Sequence, residues 1–364
     1  MNAQNIADFS RSFRIGRNEV GENAPTYFIA DIAANHDGDL SRAKALIHLA
    51  AQAGADAAKF QHFSASTIIS DFEFRRMPAK QCHQSSWRKS VYDVYADASL
   101  DRAWTLELKA TCDEVGIEFM TSPYSHELVD AVDPYLNAYK IGSGDITWNS
   151  ILEYIATKNK PIFIATGAST MDDVVRAMDV VAPINSAVCL MQCNTNYTGS
   201  IENFNHLNLR VLRSFREMFP HCVLGLSDHT PGHAAVLGAV ALGAKAIEKH
   251  FTDDRTRSGP DHAFSMTASD WRDMVDRTRE LERALGNGIK RVEANERQTA
   301  IIQRRALCAA RAMEEGETVA ARDLIALRPC PPDAFAPHES DRVIGRRLRC
   351  AVASGQAMRE NLFA

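Results

Sequence analysis

Eight short runs of β-branched, small and aromatic residues recur between positions 26 and 287, each followed by a helical pattern. The strand runs are 27–33, 57–63, 117–124, 138–145, 161–167, 187–194, 223–229 and 244–251. Helical patterns over 40–54, 100–116, 171–181, 232–243 and 271–285 separate or follow them, and Gly54, Gly116 and Gly243 stand where a helix C-terminus wants a left-handed residue. Strands joined by crossover helices pair in parallel, and those crossovers are right-handed. Eight consecutive units close most simply into a (β/α)8 TIM barrel, an α/β fold; an open doubly wound sheet is the weaker reading.

Three segments interrupt or flank this alternation. Residues 64–99, after the second strand, form a long insertion holding Trp87, Tyr92 and Tyr95 among polar residues, the profile of a lid, a binding loop or a disordered loop. Before the first strand, Phe13-Arg-Ile-Gly-Arg-Asn-Glu-Val20 reads as a hairpin that could plug the barrel bottom. After position 287 the pattern changes. Residues 288–303 are charged, show no apolar stripe and read as a linker, and 304–364 read as a small β-rich domain. The latter contains two similar halves, Ala309 to Leu324 and Cys350 to Leu362, each with a short strand, a Gly turn, an apolar residue and a closing Leu. The expected organisation is therefore a barrel with its hairpin over 1–287, a linker over 288–303 and a tail domain over 304–364.

Composition removes several classes of function. A net charge of −5 gives no reason to expect nucleic acid or an anionic membrane as partner. No apolar run approaches a membrane span, and the first residues carry no hydrophobic targeting core. The eight cysteines are scattered without a Cys-x-x-Cys pair, which reads as buried thiols of a cytoplasmic protein rather than disulfides or a zinc knot.

The strand C-termini carry the chemistry. In a barrel, the ligand site lies at that edge. His229 and His250 end the seventh and eighth runs, and imidazole suits a divalent transition ion. Either alone could be a satisfied core histidine; two on neighbouring strand ends favour the ligand reading. The other strand ends contribute Asp31, Lys59, Gln61, Thr121, Ser122, Lys140, Ser143, Asp145, Thr166, Thr195, Tyr197 and Ser227, with Asp261 shortly after the last. Lysine inside a buried strand is rare unless paired, so Lys59 and Lys140 weigh more than surface lysines. Two lysines and several hydroxyls suit a phosphate or carboxylate. Carboxylates beside imidazoles suit a metal and proton transfer. His36, His62, His83, His126 and His338 read as surface or structural.

Five stretches carry a resemblance: Ile29-Ala-Asp-Ile-Ala-Ala-Asn-His-Asp-Gly38, Ala53-Gly-Ala-Asp-Ala-Ala-Lys-Phe-Gln61, Tyr139-Lys-Ile-Gly-Ser-Gly-Asp145, Gly225-Leu-Ser-Asp-His-Thr230, and Ile247-Glu-Lys-His-Phe-Thr252 with Gly259-Pro-Asp261. In these, and in its tail, the chain resembles the N-acetylneuraminate (sialic acid) synthase family, phosphoenolpyruvate-condensing synthases of nonulosonic acids with a C-terminal antifreeze-like (SAF) domain. The resemblance implies that His229 and His250 hold Mn²⁺ (or Mg²⁺ or Co²⁺). It implies that Lys59, Ser122, Lys140, Ser143 and Ser227 hold phosphoenolpyruvate, and it sets Thr195 where the family has an asparagine of that site. Gln61, Asp145, Tyr197 and Asp261 fall near the sugar acceptor, and Asp31 falls where a carboxylate steers the attacking water. Arg328, in Leu327-Arg-Pro329, matches an arginine that reaches the acceptor from the partner subunit, which implies a domain-swapped homodimer. Two departures stand out. Asp31 and Asp145 occupy positions where the family usually has Glu, so each carboxylate is retracted by about one C–C bond, ~1.5 Å.

The expected activity is condensation of phosphoenolpyruvate with a free N-acyl amino sugar, N-acetylmannosamine by default. A legionaminic- or pseudaminic-type synthase using another aldose is the alternative. From a different class, a non-catalytic sugar-binding or scaffold protein on an inherited barrel would need the two-His, two-Lys set to serve no reaction.

Overall fold

The computed structural model describes residues 9–77, 84 and 87–364; Cys82 and His83 lie outside them. The chain forms two compact units, Met1–Gly286 and Asn287–Ala364.

The first unit opens with a hairpin, β1 (Ser12–Ile15) antiparallel to β2 (Asn18–Gly21). Eight parallel strands follow: β3 (Tyr27–Asp31), β4 (Ala57–His62), β5 (Glu118–Pro123), β6 (Tyr139–Ile141), β7 (Ile162–Ala165), β8 (Val188–Cys193), β9 (Val223–Asp228) and β10 (Ala246–His250). They are bonded in the order β5-β4-β3-β10-β9-β8-β7-β6, and β5 and β6 lie alongside each other to complete the ring. This is a TIM-like barrel. The helices of this unit are α1 (Leu40–Gln52), α2 (Ala65–Ile68), α3 (Asp71–Arg76), α4 (Val91–Ala98), α5 (Thr105–Val115), α6 (His126–Val132), α7 (Asn149–Ala156), α8 (Met171–Val181), α9 (Val211–Met218), α10 (Ala234–Ala241) and α11 (Ala268–Leu285). Gly54, Gly116 and Gly243 take φ of 93°, 77° and 95°, conformations that end α1, α5 and α10 without Cβ strain.

All eight expected strands are present, but each stops short of its expected C-terminal end. The run 138–145 is strand only over Tyr139–Ile141, because Gly142 begins a turn into a 3-10 helix over Ser143–Asp145. His229 and Asp145 therefore sit just beyond their strands, where the backbone is free to aim side chains across the mouth.

Strand side chains alternate between two environments. Outward residues such as Phe28, Phe60, Tyr139 and Ile247 pack under the surrounding helices. Inward residues at the N-terminal ends, Tyr27, Ile29, Ala57, Met120, Phe163 and Ala246, form a second cluster closed by Phe13, Ile15 and Val20 of the hairpin. Phe13 meets Phe163 edge-on at 5.8 Å. The hairpin thus caps the barrel bottom, and the site must lie at the other end. The insertion after β4 contains α2, α3 and α4.

The second unit contains α12 (Arg297–Gln303) and an antiparallel pair, β11 (Ala306–Ala309) with β12 (Leu324–Leu327). The segment 288–303, expected as linker, is partly helical and belongs to the second unit, whose boundary after Gly286 lies one residue from the expected barrel end at 287. At seven residues, with none of them buried, α12 is too short to show an apolar stripe along the chain. The unit's core gathers Leu307, Met313, Val319, Phe335, Leu348, Val352, Met358 and Phe363. The two similar halves share a Gly followed three residues later by a buried apolar side chain, Gly316 to Val319 and Gly355 to Met358.

Candidate active site

The register of the barrel builds the site. Pairing sets Asp31 beside both Lys59 and His250, Gln61 beside Ser122, and Glu248 beside Ser227. Since inward residues repeat every second position, Lys59 and Gln61 share the interior with Ala57, as Glu248 and His250 do with Ala246. At the C-terminal end the interior opens into a cavity of about 410 Å³. Of the candidate residues, Asp31, Lys59, Gln61, Ser122, Lys140, Ser143, Asp145, Tyr197, Ser227, His229, His250 and Asp261 line it, whereas the barrel threonines Thr121, Thr166 and Thr195 do not.

Two buried ion pairs form its floor. Lys59 Nζ lies 2.6 Å from Asp31 Oδ2, and Lys140 Nζ lies 2.8 Å from Glu248 Oε1. Ser227 Oγ donates to the same Glu248 oxygen at 3.1 Å. Burial alone would raise Glu248, but Lys140 and Lys59 outweigh it and hold the carboxyl at about 2. Burial likewise opposes the charge of Lys59, and Asp31 and Glu248 reverse that, so its pKa stands above the ordinary value. Asp31 is pushed up by burial against the pull of Lys59. Buried pairs of this kind contribute little net stability, because desolvation offsets attraction.

The imidazoles stand side by side, ring centroids 5.4 Å apart. His229 Nδ1 is 2.9 Å from the Asn194 carbonyl. A carbonyl only accepts, so Nδ1 carries the proton and Nε2 keeps its lone pair free. His250 Nε2 lies 3.6 Å from Asp31 Oδ2, Nδ1 lies 3.8 Å from Asp261 Oδ2, and Nδ1 is buried without a hydrogen-bond partner. Burial, then His250, lowers His229 to about 4; burial, then Lys59, lowers His250 to about 3. Both rings are neutral at pH 7, the form that binds metals. Among the described residues, no group of three or more His, Cys, Asp or Glu is arranged to hold an ion. The two neutral, adjacent imidazoles are a donor set that fits a divalent ion completing its shell with non-protein ligands.

Around the rim, Asp145 is raised to about 6 and Asp261 to about 7, both by burial first. Asp261 accepts from the Ala34 N–H at 3.2 Å. Tyr197 packs edge-on to His229 at 4.4 Å. Ser143 Oγ accepts from the Gly167 N–H at 3.0 Å. Ser122 Oγ and Glu248 Oε2 are buried with no partner, polar atoms that a bound ligand can satisfy.

Thr195 and Arg328 are instructive. Thr195 sets its methyl against Gly167, where an added Cβ would come within 2.4 Å of it, and does not line the cavity. Arg328 belongs to the second unit. Sequence reasoning missed Glu248 as a site residue. The available signal was an acidic side chain two positions before His250 in a wholly buried strand. It also missed Tyr124 and Phe63, which line the cavity beyond strand ends. Lys249 and Asp228, paired at 2.5 Å outside the cavity, tie the two histidine-bearing strand ends together. His62 is structural, bonded to Thr121 and Thr105 hydroxyls.

Residues 46–290 match the model of the NeuB family. The chain belongs to that family. NeuB-family proteins are phosphoenolpyruvate-condensing synthases of nonulosonic acids, so this member is a carbon–carbon bond-forming transferase. It is 32% identical over 345 residues to an N,N'-diacetyllegionaminic acid synthase of Legionella pneumophila, covering 93% of this chain and 94% of that one. It is 31% identical over 347 residues to the human N-acetylneuraminate-9-phosphate synthase, 94% of each chain. A crystal structure of N-acetylneuraminic acid synthetase from Leptospira borgpetersenii superposes with a TM-score of 0.70 at 26% identity, over 80% of this chain and 95% of that one. No helix among the described residues of this NeuB-family chain is long and apolar enough to cross a membrane.

Proposed function

We propose that the protein condenses phosphoenolpyruvate with a free N-acyl amino aldose, releasing phosphate and a nonulosonic acid. The observation that carries this is the cavity floor: two buried lysines, each held by a carboxylate, beside two neutral imidazoles.

In this reading Lys59, Lys140, Ser122, Ser143 and Ser227 receive the phosphate and carboxylate of phosphoenolpyruvate; the unpartnered Ser122 hydroxyl supports its share. Thr195, set against Gly167, would act on that site only indirectly. Gln61, Asp145, Tyr197 and Asp261 surround the acceptor. His229 and His250 hold a divalent ion, Mn²⁺ by preference over Mg²⁺ or Co²⁺, which when bound supplies Lewis-acid polarisation of the aldehyde oxygen. C3 of phosphoenolpyruvate forms the new bond to the aldehyde carbon, whose oxygen takes up a proton. Water then adds at C2, giving its proton to Asp31 Oδ2, and the C2–O bond breaks to release phosphate. Lys59, 2.6 Å from that oxygen, fixes the carboxylate and stabilises its charged form.

The tail unit is proposed to be an antifreeze-like (SAF) domain that carries Arg328 to the partner's barrel in a swapped homodimer. In support, its entry segment leaves Ile289 and Ile302 64% and 59% exposed, apolar surface suited to a second copy. Free thiols at the described cysteines support a reducing, cytoplasmic setting. The test is phosphate release from phosphoenolpyruvate with a panel of free aldoses and Mn²⁺. Release with at least one N-acyl amino aldose, abolished by EDTA, is expected; no release with any overturns the reading. For the dimer, mixing inactive His229→Ala and Arg328→Ala subunits should restore one working site per heterodimer, and no recovery overturns the swap.

A further inference from the structure

One buried ion pair has no part in the reaction proposed above. Lys249 of β10 and Asp228 of β9 stand opposite each other in the strand register. Both side chains turn away from the cavity, to the side where Leu224, Leu226 and Ile247 pack under the helices, and they are 2% and 0% exposed. The Lys249 ammonium donates to Asp228 Oδ2 at 2.5 Å and to the Thr230 carbonyl at 2.6 Å. Asp228 Oδ1 in turn accepts from the Thr230 N–H at 3.0 Å and from the Thr230 hydroxyl at 2.9 Å. This knot grips the residue before His229 and the residue after it, and ties both to the residue before His250.

The placement matters because the strand ladder gives out at this point. The pairing of β9 with β10 ends at Asp228 and Lys249, and that of β9 with β8 ends at Ser227. His229 lies beyond both, so strand pairing does not set its position, whereas His250 closes β10 in register with Asp31. The two rings still stand 5.4 Å apart. The hydrogen bond from His229 Nδ1 to the Asn194 carbonyl fixes the orientation of the ring but not the path of its backbone. The knot holds that path. An ion with only two protein ligands depends strongly on those ligands being set beforehand, because a displaced donor is not compensated by others. We infer that Lys249, Asp228 and Thr230 are positioning residues for divalent-ion binding, holding His229 and His250 at the separation at which both imidazoles serve one ion. The inference rests on the reading that these two histidines hold the ion.

The experiment titrates metal-stripped protein into Mn²⁺ and follows the electron paramagnetic resonance signal of the free ion, beside the melting temperature with and without the ion. Asp228→Asn combined with Lys249→Met removes both charges, keeps an oxygen for the Thr230 N–H and replaces one unbranched stem by another. The metal-free melting temperature of this double variant should stay within a few degrees of wild type, since a buried pair contributes little net stability. Its Kd for Mn²⁺ should rise by about 10- to 100-fold, the usual cost of losing a partner that orients a metal ligand. The rise in melting temperature on adding Mn²⁺ should shrink accordingly. Thr230→Val, which removes only the hydroxyl, should weaken binding several-fold, and Thr230→Ser should restore it. A purely structural role gives the reverse pattern, a lower metal-free melting temperature at unchanged Kd, and that result overturns the inference. If the double variant does not fold, an unchanged Kd in Thr230→Val overturns it. Wild-type protein that binds no Mn²⁺ overturns the metal reading as well, whereas wild-type binding matched by the variants overturns this inference alone.

Discussion

The two ends of one barrel interior use the same strands and the same alternation for opposite purposes. At the N-terminal end, inward positions are Tyr27, Ile29, Met120 and Phe163, sealed by the hairpin residues Phe13, Ile15 and Val20. Two to four residues further along the same strands, inward positions are Asp31, Lys59, Ser122, Glu248 and His250. The first end is a packed core whose removal from water stabilises the fold. The second buries charges in pairs that add little net stability but hold fixed dipoles and charges where a reaction can use them. A substitution at one end should therefore be read in the unfolding curve, and at the other in turnover.

The largest contrast is expected at His229. His229→Ala should abolish metal-dependent turnover while thermal unfolding stays within a few degrees of wild type, measured by phosphate release and circular dichroism on the same preparation. Full activity in that variant, or in metal-stripped enzyme, breaks the division of labour. Next comes Phe163→Ala at the sealed end. Loss of a large buried ring should cost about 3–5 kcal/mol of stability in urea titration, with kcat of the remaining folded enzyme close to wild type. A kcat collapse without a stability loss would mean the two ends are coupled. Asp31→Asn removes the proposed base but keeps its shape, so kcat should fall by about 10²-fold with the KM for phosphoenolpyruvate little changed. An unchanged kcat makes Asp31 structural and passes the water-steering role to Asp145. The smallest effect is Ile15→Val in the hairpin plug, about 0.5–1.5 kcal/mol of stability and no change in any kinetic constant. A kinetic effect there would show that the plug, too, shapes the site.

Much of this was legible beforehand because it rests on local pattern. The eightfold alternation marks the barrel, since strand runs and helical runs differ in period. Histidine, lysine and carboxylate at strand ends mark the catalytic edge, since polar groups seldom enter buried strands without partners. What pattern could not reveal is pairing. That Lys59 meets Asp31 while Lys140 meets Glu248 depends on register across strands, and Glu248 was passed over because its partner is 108 residues away. Helix α12, only seven residues long and with none of them buried, carries no apolar stripe to announce it.

The sequence by itself determined the order of strands and helices, the residue types available at each strand end and the family motifs, because period, turn chemistry and capping act over a few residues. Only the tertiary structure decided which of those residues share a cavity. It turned Thr195 onto Gly167, set the Asn194 carbonyl on His229 Nδ1, and brought the rings of the insertion over a floor of charges. These arise from closing the ring of strands and from the close approach of segments distant along the chain, and no local propensity encodes such contacts.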